Sequence, residues 1–357
     1  MHDSALTSNR GSFGMWHGDA FVGTLVEQAR KIRDQRAQAE SAERKKIRLK
    51  QSLRDSLGDF ERTEADCPIT LERVECDGYI RERVELSAVA GLSFGAYVLI
   101  PANSSGKLPG VIAVHGHGYG SRQICGMRED GTADAGEPDI YNHFAIQLVK
   151  KGFVVIAPDV IGFGERRLKS DLAVDPNARS SCYTLSTHLL MLGKTLTGLR
   201  VAEMLGALDY FARRPEVDSN RIGIAGFSGG SLISYVAAAL DERIRAALLI
   251  GFPNTFQDSI MAVHHCLCNY TPGILTQAEL PELMGLISPR PLFLESGDAD
   301  PIFPAHGFHK AVQEVKRIYG LENAERLIGS DLFPGKHEVS GRYSFDWLKQ
   351  ALGSHPI

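Results

Sequence analysis

Apolar positions recur along this chain in two regimes, and the change falls near residue 80. Between residues 21 and 60, Phe21, Leu25, Ala29, Ile32, Leu49 and Leu53 recur at roughly helical spacing among Arg, Lys, Glu, Gln and Ala, all good helix formers. The first reading of this stretch is one or two helices packed on the main body. The second is a contact joining two copies of the chain into a homo-oligomer. Residues 1–20 are polar and glycine-containing and read as a loose arm.

Beyond residue 80 short apolar runs alternate with longer helical patterns. Residues 83–89 and 94–100 read as a leading antiparallel pair of strands. Buried-type strands are expected at 110–114, 153–158, 221–226, 245–250, 291–295 and 325–328, and helices at 141–151, 189–213, 230–240, 307–319 and 342–352. This alternation predicts an α/β fold, a mostly parallel central sheet with helices on both faces. The expected division is an N-terminal arm and helical segment (1–75) followed by an α/β domain (76–357). Ligand sites in such sheets lie at the carboxyl ends of the strands. The polar, glycine-bearing stretch 126–139 reads as an exposed loop near that entrance or as a disordered insert.

Composition narrows the class without naming it. At 357 residues and 43% hydrophobic, the chain can bury a large core and needs no disulfide or metal to fold. A net charge of −4 recruits neither nucleic acid nor an anionic membrane surface. No window approaches 18 uninterrupted apolar residues, and residues 1–20 lack the apolar core of a signal peptide, so no membrane span is expected. The six cysteines (Cys67, Cys76, Cys125, Cys182, Cys266 and Cys268) do not read as a disulfide framework in so long a chain; reduced thiols in a cytoplasm are expected.

The chemistry centres on Gly226-Phe227-Ser228-Gly229-Gly230, placed between a buried strand and an apolar helix. A serine on that tight turn has its hydroxyl lifted clear of the sheet, with free helix N–H groups aimed at it. Serine alone is a poor nucleophile; it needs a base, and the base needs an orienting acid, in the chain order Ser, acid, His for this arrangement. Glu295, Asp298 and Asp300 compete for the acid at the end of one strand. Asp300, held extended by Pro301, is favoured. Of the histidines beyond it, His306 and His309 lie too near the acid and His355 is in the tail. His337, in a loop before the final helix, is the expected base. The oxyanion donors are assigned to the backbone N–H groups of Gly229 and of His117, the latter in the glycine-rich turn 114–120. His115 in the same turn reads as structural. Tyr119, Arg166 and His264 are the candidates for substrate contact, although an ion pair between Glu165 and Arg166 bracing the loop is the favoured reading of Arg166.

Together with residues 159–166 (Asp-Val-Ile-Gly-Phe-Gly-Glu-Arg), His115-Gly-His117-Gly, Gly226-Phe-Ser228-Gly-Gly230, Gly297-Asp-Ala-Asp300-Pro-Ile-Phe-Pro304 and Lys336-His337-Glu338 resemble the α/β-hydrolases of the dienelactone-hydrolase and acetyl-xylan-esterase-like branch. The resemblance spans residues 80–352 and implies cofactor-free hydrolysis of small carboxylic esters, acetyl esters of sugars among them. Dienelactone hydrolases carry cysteine as nucleophile, where this chain has Ser228. Two other functions compete: a serine peptidase of the prolyl-oligopeptidase type, for which the chain is too short to add a propeller, and a non-catalytic ligand binder on the same fold.

His264-His265-Cys266-Leu267-Cys268 invites a metal reading. Adjacent histidines and a one-residue cysteine gap do not match usual ligand spacing and no second ligand pair is evident, so the expectation is no metal. The segment reads instead as wall above the site.

Overall fold

The computed structural model describes residues 18–63, 68–102 and 105–353. Nine strands form one sheet: β1 (Ile69–Cys76), β2 (Tyr79–Val89), β3 (Leu92–Pro101), β4 (Leu108–Val114), β5 (Val154–Pro158), β6 (Val217–Phe227), β7 (Ile244–Ile250), β8 (Leu292–Gly297) and β9 (Ile328–Phe333). Their order is β1-β2-β3-β5-β4-β6-β7-β8-β9. β1, β2, β3 and β5 pair antiparallel in turn, and β5, β4, β6, β7, β8 and β9 pair in parallel. The helices are α1 (Gly18–Ala39), α2 (Ala42–Leu57), α3 (Ser121–Ile124), α4 (Phe144–Lys150), α5 (Lys169–Val174), α6 (Cys182–Met191), α7 (Leu196–Ala212), α8 (Gly229–Leu240), α9 (Leu280–Met284), α10 (Ala305–Gly320) and α11 (Ser344–Gly353).

The central strands are apolar on both faces because helices cover both. In β4, Ile112 and Val114 enter the core shared with α2, α7, α8 and α10, while Val111 and Ala113 enter the one shared with α4 and α11. β5 repeats the pattern with Val154 and Ile156 on one side and Val155 and Ala157 on the other. Such strands read as unbroken apolar runs, which is why the sequence pattern finds them.

Three elements depart from expectation. β1 escapes the pattern because it is an exposed edge strand whose Glu72, Arg73 and Glu75 keep its periodicity polar. It also crosses the division expected after residue 75. The single helix expected over 189–213 is two helices: α6 stops at Met191, Gly193 turns with φ 68°, and the Thr195 side chain caps α7 by accepting from the Gly198 N–H at 2.9 Å. The strand expected at 325–328 is a tight turn, and β9 begins only at Ile328. Polar Ser330 and Asp331 disguise β9; Arg342 pairs with the Asp331 carboxylate at 2.6 and 2.7 Å.

The two N-terminal helices differ in how far their apolar faces are buried. α2 buries Leu49, Leu53 and Leu57 in the main core, and its last carbonyl, on Leu57, accepts from the Thr195 N–H and hydroxyl. α1 buries only Ala29 and leaves Phe21, Val22, Leu25 and Ile32 exposed. Leu53→Ala is expected to cost about 2–5 kcal/mol of stability, the range for emptying a fully buried leucine site. Urea unfolding reads it as a lower midpoint at unchanged slope; a change below about 0.5 kcal/mol would show that α2 is no part of the core.

Candidate active site

Ser228 stands between β6 and α8 with φ 55° and ψ −123°, a strained backbone for any residue but glycine. The glycines beside it make that turn sterically feasible. A Cβ on Gly226 would lie 2.3 Å from the Gly230 carbonyl oxygen, and one on Gly230 would lie 2.0 Å from that of Val114. The turn is pinned from below: the Ser228 N–H donates to the Ile250 carbonyl at 2.8 Å, and the Ser231 hydroxyl bridges Gly226 and Ile250.

His337 Nε2 lies 3.0 Å from Ser228 Oγ, and its Nδ1 lies 2.7 Å from Asp300 Oδ2. Three side chains separated by up to 109 positions thus form one chain of hydrogen bonds. The Asp300 side chain is fully buried. Its other oxygen accepts from the Ile302 and Phe303 N–H groups at 2.9 and 3.0 Å, which fixes the carboxylate plane. With the acid ionised, the proton between the pair belongs to Nδ1, leaving Nε2 free to accept from the serine. The imidazole is sandwiched between Phe227, 4.8 Å between centroids, and Phe303, stacked at 5.6 Å.

The two other acids left open by sequence have structural partners. Glu295 is completely buried; its carboxylate accepts from the Ser340 and Gly341 N–H groups and the Ser344 hydroxyl at 3.0, 3.1 and 2.6 Å. Burial pushes this carboxyl up despite those donors. Asp298 accepts from the Gly335 N–H at 3.2 Å. Both therefore anchor the chain on either side of His337 to the end of β8. Gly297 lets that loop close in, since a Cβ there would sit 2.1 Å from the Lys336 carbonyl oxygen.

The turn after β4 passes directly against the serine: a Cβ on Gly116 would lie 3.1 Å from that of Ser228. The Gly229 and His117 N–H groups have no acceptor among the described residues, so both donors are unspent. His115 braces the turn, its Nδ1 on the Gly116 carbonyl at 2.8 Å and its Nε2 accepting from the Val160 N–H at 3.0 Å. Burial pushes its imidazole down to about 4, so it stays neutral. Asp159 holds the far end through the Ser121 N–H and hydroxyl at 2.8 and 2.6 Å and through Arg83 at 2.6 Å. Burial would raise the Asp159 carboxyl, but Arg83 and Ser121 outweigh it and hold it below its ordinary range.

The remaining expected contacts are placed differently. Glu165 and Arg166 do not pair with each other. Neighbours on one tight turn, they diverge: Glu165 meets Arg83 and Arg122, whereas Arg166 forms a bidentate pair with buried Glu203 at 2.6 and 2.8 Å. The Arg166 guanidinium is spent inside the wall. The Tyr119 hydroxyl donates to the Met127 carbonyl at 3.0 Å. His264 is exposed, and its neighbour His265 is the one turned inward, 5.4 Å from the Phe303 ring that stacks on His337. Burial, helped by His337 and His117, pushes the His265 imidazole down. Sequence reasoning did not single out Phe227, Phe303 or His265; the first two sit inside the quoted motifs, while nothing in the sequence separates His265 from His264.

A strained serine at a strand-to-helix turn, an imidazole and carboxylate in line behind it, and a parallel sheet beneath define an α/β-hydrolase fold with a Ser-His-Asp constellation. The chain belongs to the Abhydrolase family, whose model matches residues 21–324. It is 29% identical over 235 residues to YtaP of Bacillus subtilis (strain 168), named as a candidate hydrolase, covering 64% of this chain and 73% of that one. Among solved structures it resembles a candidate acetyl xylan esterase of Bacteroides fragilis (TM-score 0.77, 15% identity, 97% of each chain covered). It also resembles a glucuronoyl esterase from Solibacter usitatus, with TM-score 0.64 and 14% identity over 87% of this chain and 92% of that one. Among the described residues no helix is long and apolar enough to cross a membrane.

Proposed function

We propose that this protein hydrolyses small carboxylic esters through an acyl-enzyme on Ser228, with acetyl groups on carbohydrates as the favoured substrate class. The observation that carries the reading is the continuous line from Ser228 Oγ through His337 to Asp300, at 3.0 and 2.7 Å. As the serine attacks the ester carbonyl, His337 Nε2 takes its proton. Asp300 holds the ring and stabilises the imidazolium that forms. The N–H groups of Gly229 and His117 receive the charge developing on the carbonyl oxygen. His337 then returns the proton to the leaving alcohol, and water repeats the sequence on the acyl-serine. The acetyl xylan and glucuronoyl esterases among its structural neighbours favour a carbohydrate ester.

The test compares p-nitrophenyl acetate, acetylated xylo-oligosaccharides and aminoacyl p-nitroanilides. Turnover of the esters with mass-detected acylation of Ser228 is expected. Faster cleavage of the anilides would favour the peptidase reading, and no turnover with no labelling by a fluorophosphonate would favour a ligand-binding protein.

A further inference from the structure

The turn that carries the oxyanion donor also brings together four side chains that sequence spacing keeps apart. His117 from that turn, Cys182 at the start of α6, and Cys266 and Cys268 from the segment preceding α9 place their Nε2 or Sγ atoms within 4.8 Å of one another. We propose that these residues form a Cys3His site for one zinc ion, a structural metal centre that fixes the oxyanion turn.

Geometry supports this first. Ligands around a tetrahedral zinc, with sulfur at ~2.3 Å and nitrogen at ~2.0 Å, stand about 3.5–3.8 Å apart. Here His117 Nε2 and Cys268 Sγ are 3.5 Å apart, and the Cys268 and Cys266 sulfurs 3.3 Å apart. The ligand set is soft, as three thiolates with one imidazole favour zinc over magnesium or calcium. With four protein ligands the site is closed and leaves no position for a reacting water, so its part is structural.

Charge supports it independently. Arg200 is buried and lies on α7 with its Nη2 3.2 Å from Cys182 Sγ. It donates besides to the Ile161 carbonyl and stacks over Phe163 at 4.7 Å. Among the described residues no carboxylate forms a salt bridge with it; neighbouring Glu203 is taken by Arg166. A guanidinium buried there needs a negative partner. Zinc with three thiolates carries a net charge of −1, and Arg200 supplies the +1 beside it.

Sequence spacing shows no second ligand pair near Cys266 and Cys268, which is why no metal is expected from it. The fold supplies that pair from residues 84 and 149 positions away. Its consequence is positional. His117 carries the backbone N–H proposed as an oxyanion donor and offers its side chain to the metal, so one residue ties that turn to α6 and to the segment above the site. Thr197 steadies the arrangement by donating its hydroxyl to the Cys268 carbonyl at 2.9 Å.

The full chain purified under reducing, chelator-free conditions is expected to contain about one zinc per chain by elemental analysis. Replacement by Co2+ is expected to give thiolate-to-cobalt charge transfer and the intense visible bands of a tetrahedral site. Cys182→Ser and Cys268→Ser are each expected to lose stoichiometric zinc, whereas Ser228→Ala keeps it. Should those cysteine variants fail to fold, the wild-type cobalt spectrum still decides. Zinc well below stoichiometry with no uptake of added Zn2+ or Co2+ overturns the proposal, as does an octahedral cobalt spectrum without thiolate bands. An intact mass 2 Da low, marking a disulfide among these cysteines, overturns it too. Zinc without esterase activity would instead leave this site standing and remove the hydrolytic reading.

Discussion

Ser228→Ala is expected to lower kcat toward p-nitrophenyl acetate roughly a million-fold, the scale seen when a triad nucleophile is removed. The hydroxyl is the only atom lost, and its one side-chain hydrogen bond is the one to His337. Alanine keeps the Cβ, so the strained backbone and its bond to Ile250 are unchanged. The variant should therefore unfold at a wild-type urea midpoint while losing both turnover and fluorophosphonate labelling. The two unspent N–H groups remain, so a residual rate above the uncatalysed reaction is expected. A loss smaller than about tenfold would remove Ser228 from the chemistry altogether.

Asp300→Asn is expected to cost roughly ten-thousand-fold in kcat at unchanged fold. The mechanism is a tautomer reversal. The Ile302 and Phe303 N–H groups demand an oxygen at the Oδ1 position, which leaves the amide NH2 facing His337 Nδ1. That nitrogen must then accept, the ring proton moves to Nε2, and the base can no longer take the serine proton. Steady-state kinetics with a circular-dichroism check would read the effect. Activity within about tenfold of wild type would transfer the role to Glu295 or Asp298, yet both already hold backbone N–H groups that asparagine at 300 leaves in place.

The legible part of this protein is the part governed by local rules. Buried parallel strands show as apolar runs at β4 to β8 because both faces are covered. Gly226, Ser228 and Gly230 are legible because a tight strand-to-helix turn admits few other residues. Chain order narrows the acid and base to positions after 228. β1 and β9 are harder to see because an edge strand with charged residues and a strand with Ser330 and Asp331 at its centre carry no apolar period. The α6–α7 break was signalled by Gly193 and Thr195, but the apolar spacing on either side masks it.

By itself, then, the sequence determined the alternation of elements, the strand-to-helix turn at Ser228 and the short set of acids and histidines after it that could face that turn, since each is constrained by backbone sterics or by chain order. Only the tertiary structure decided which acid faces His337, that Arg166 turns to Glu203, and that His117, Cys182, Cys266 and Cys268 converge beside Arg200. The physical reason is that a buried charge or ligand takes as partner whatever the fold places within a few ångströms, and separation along the chain says nothing about that distance.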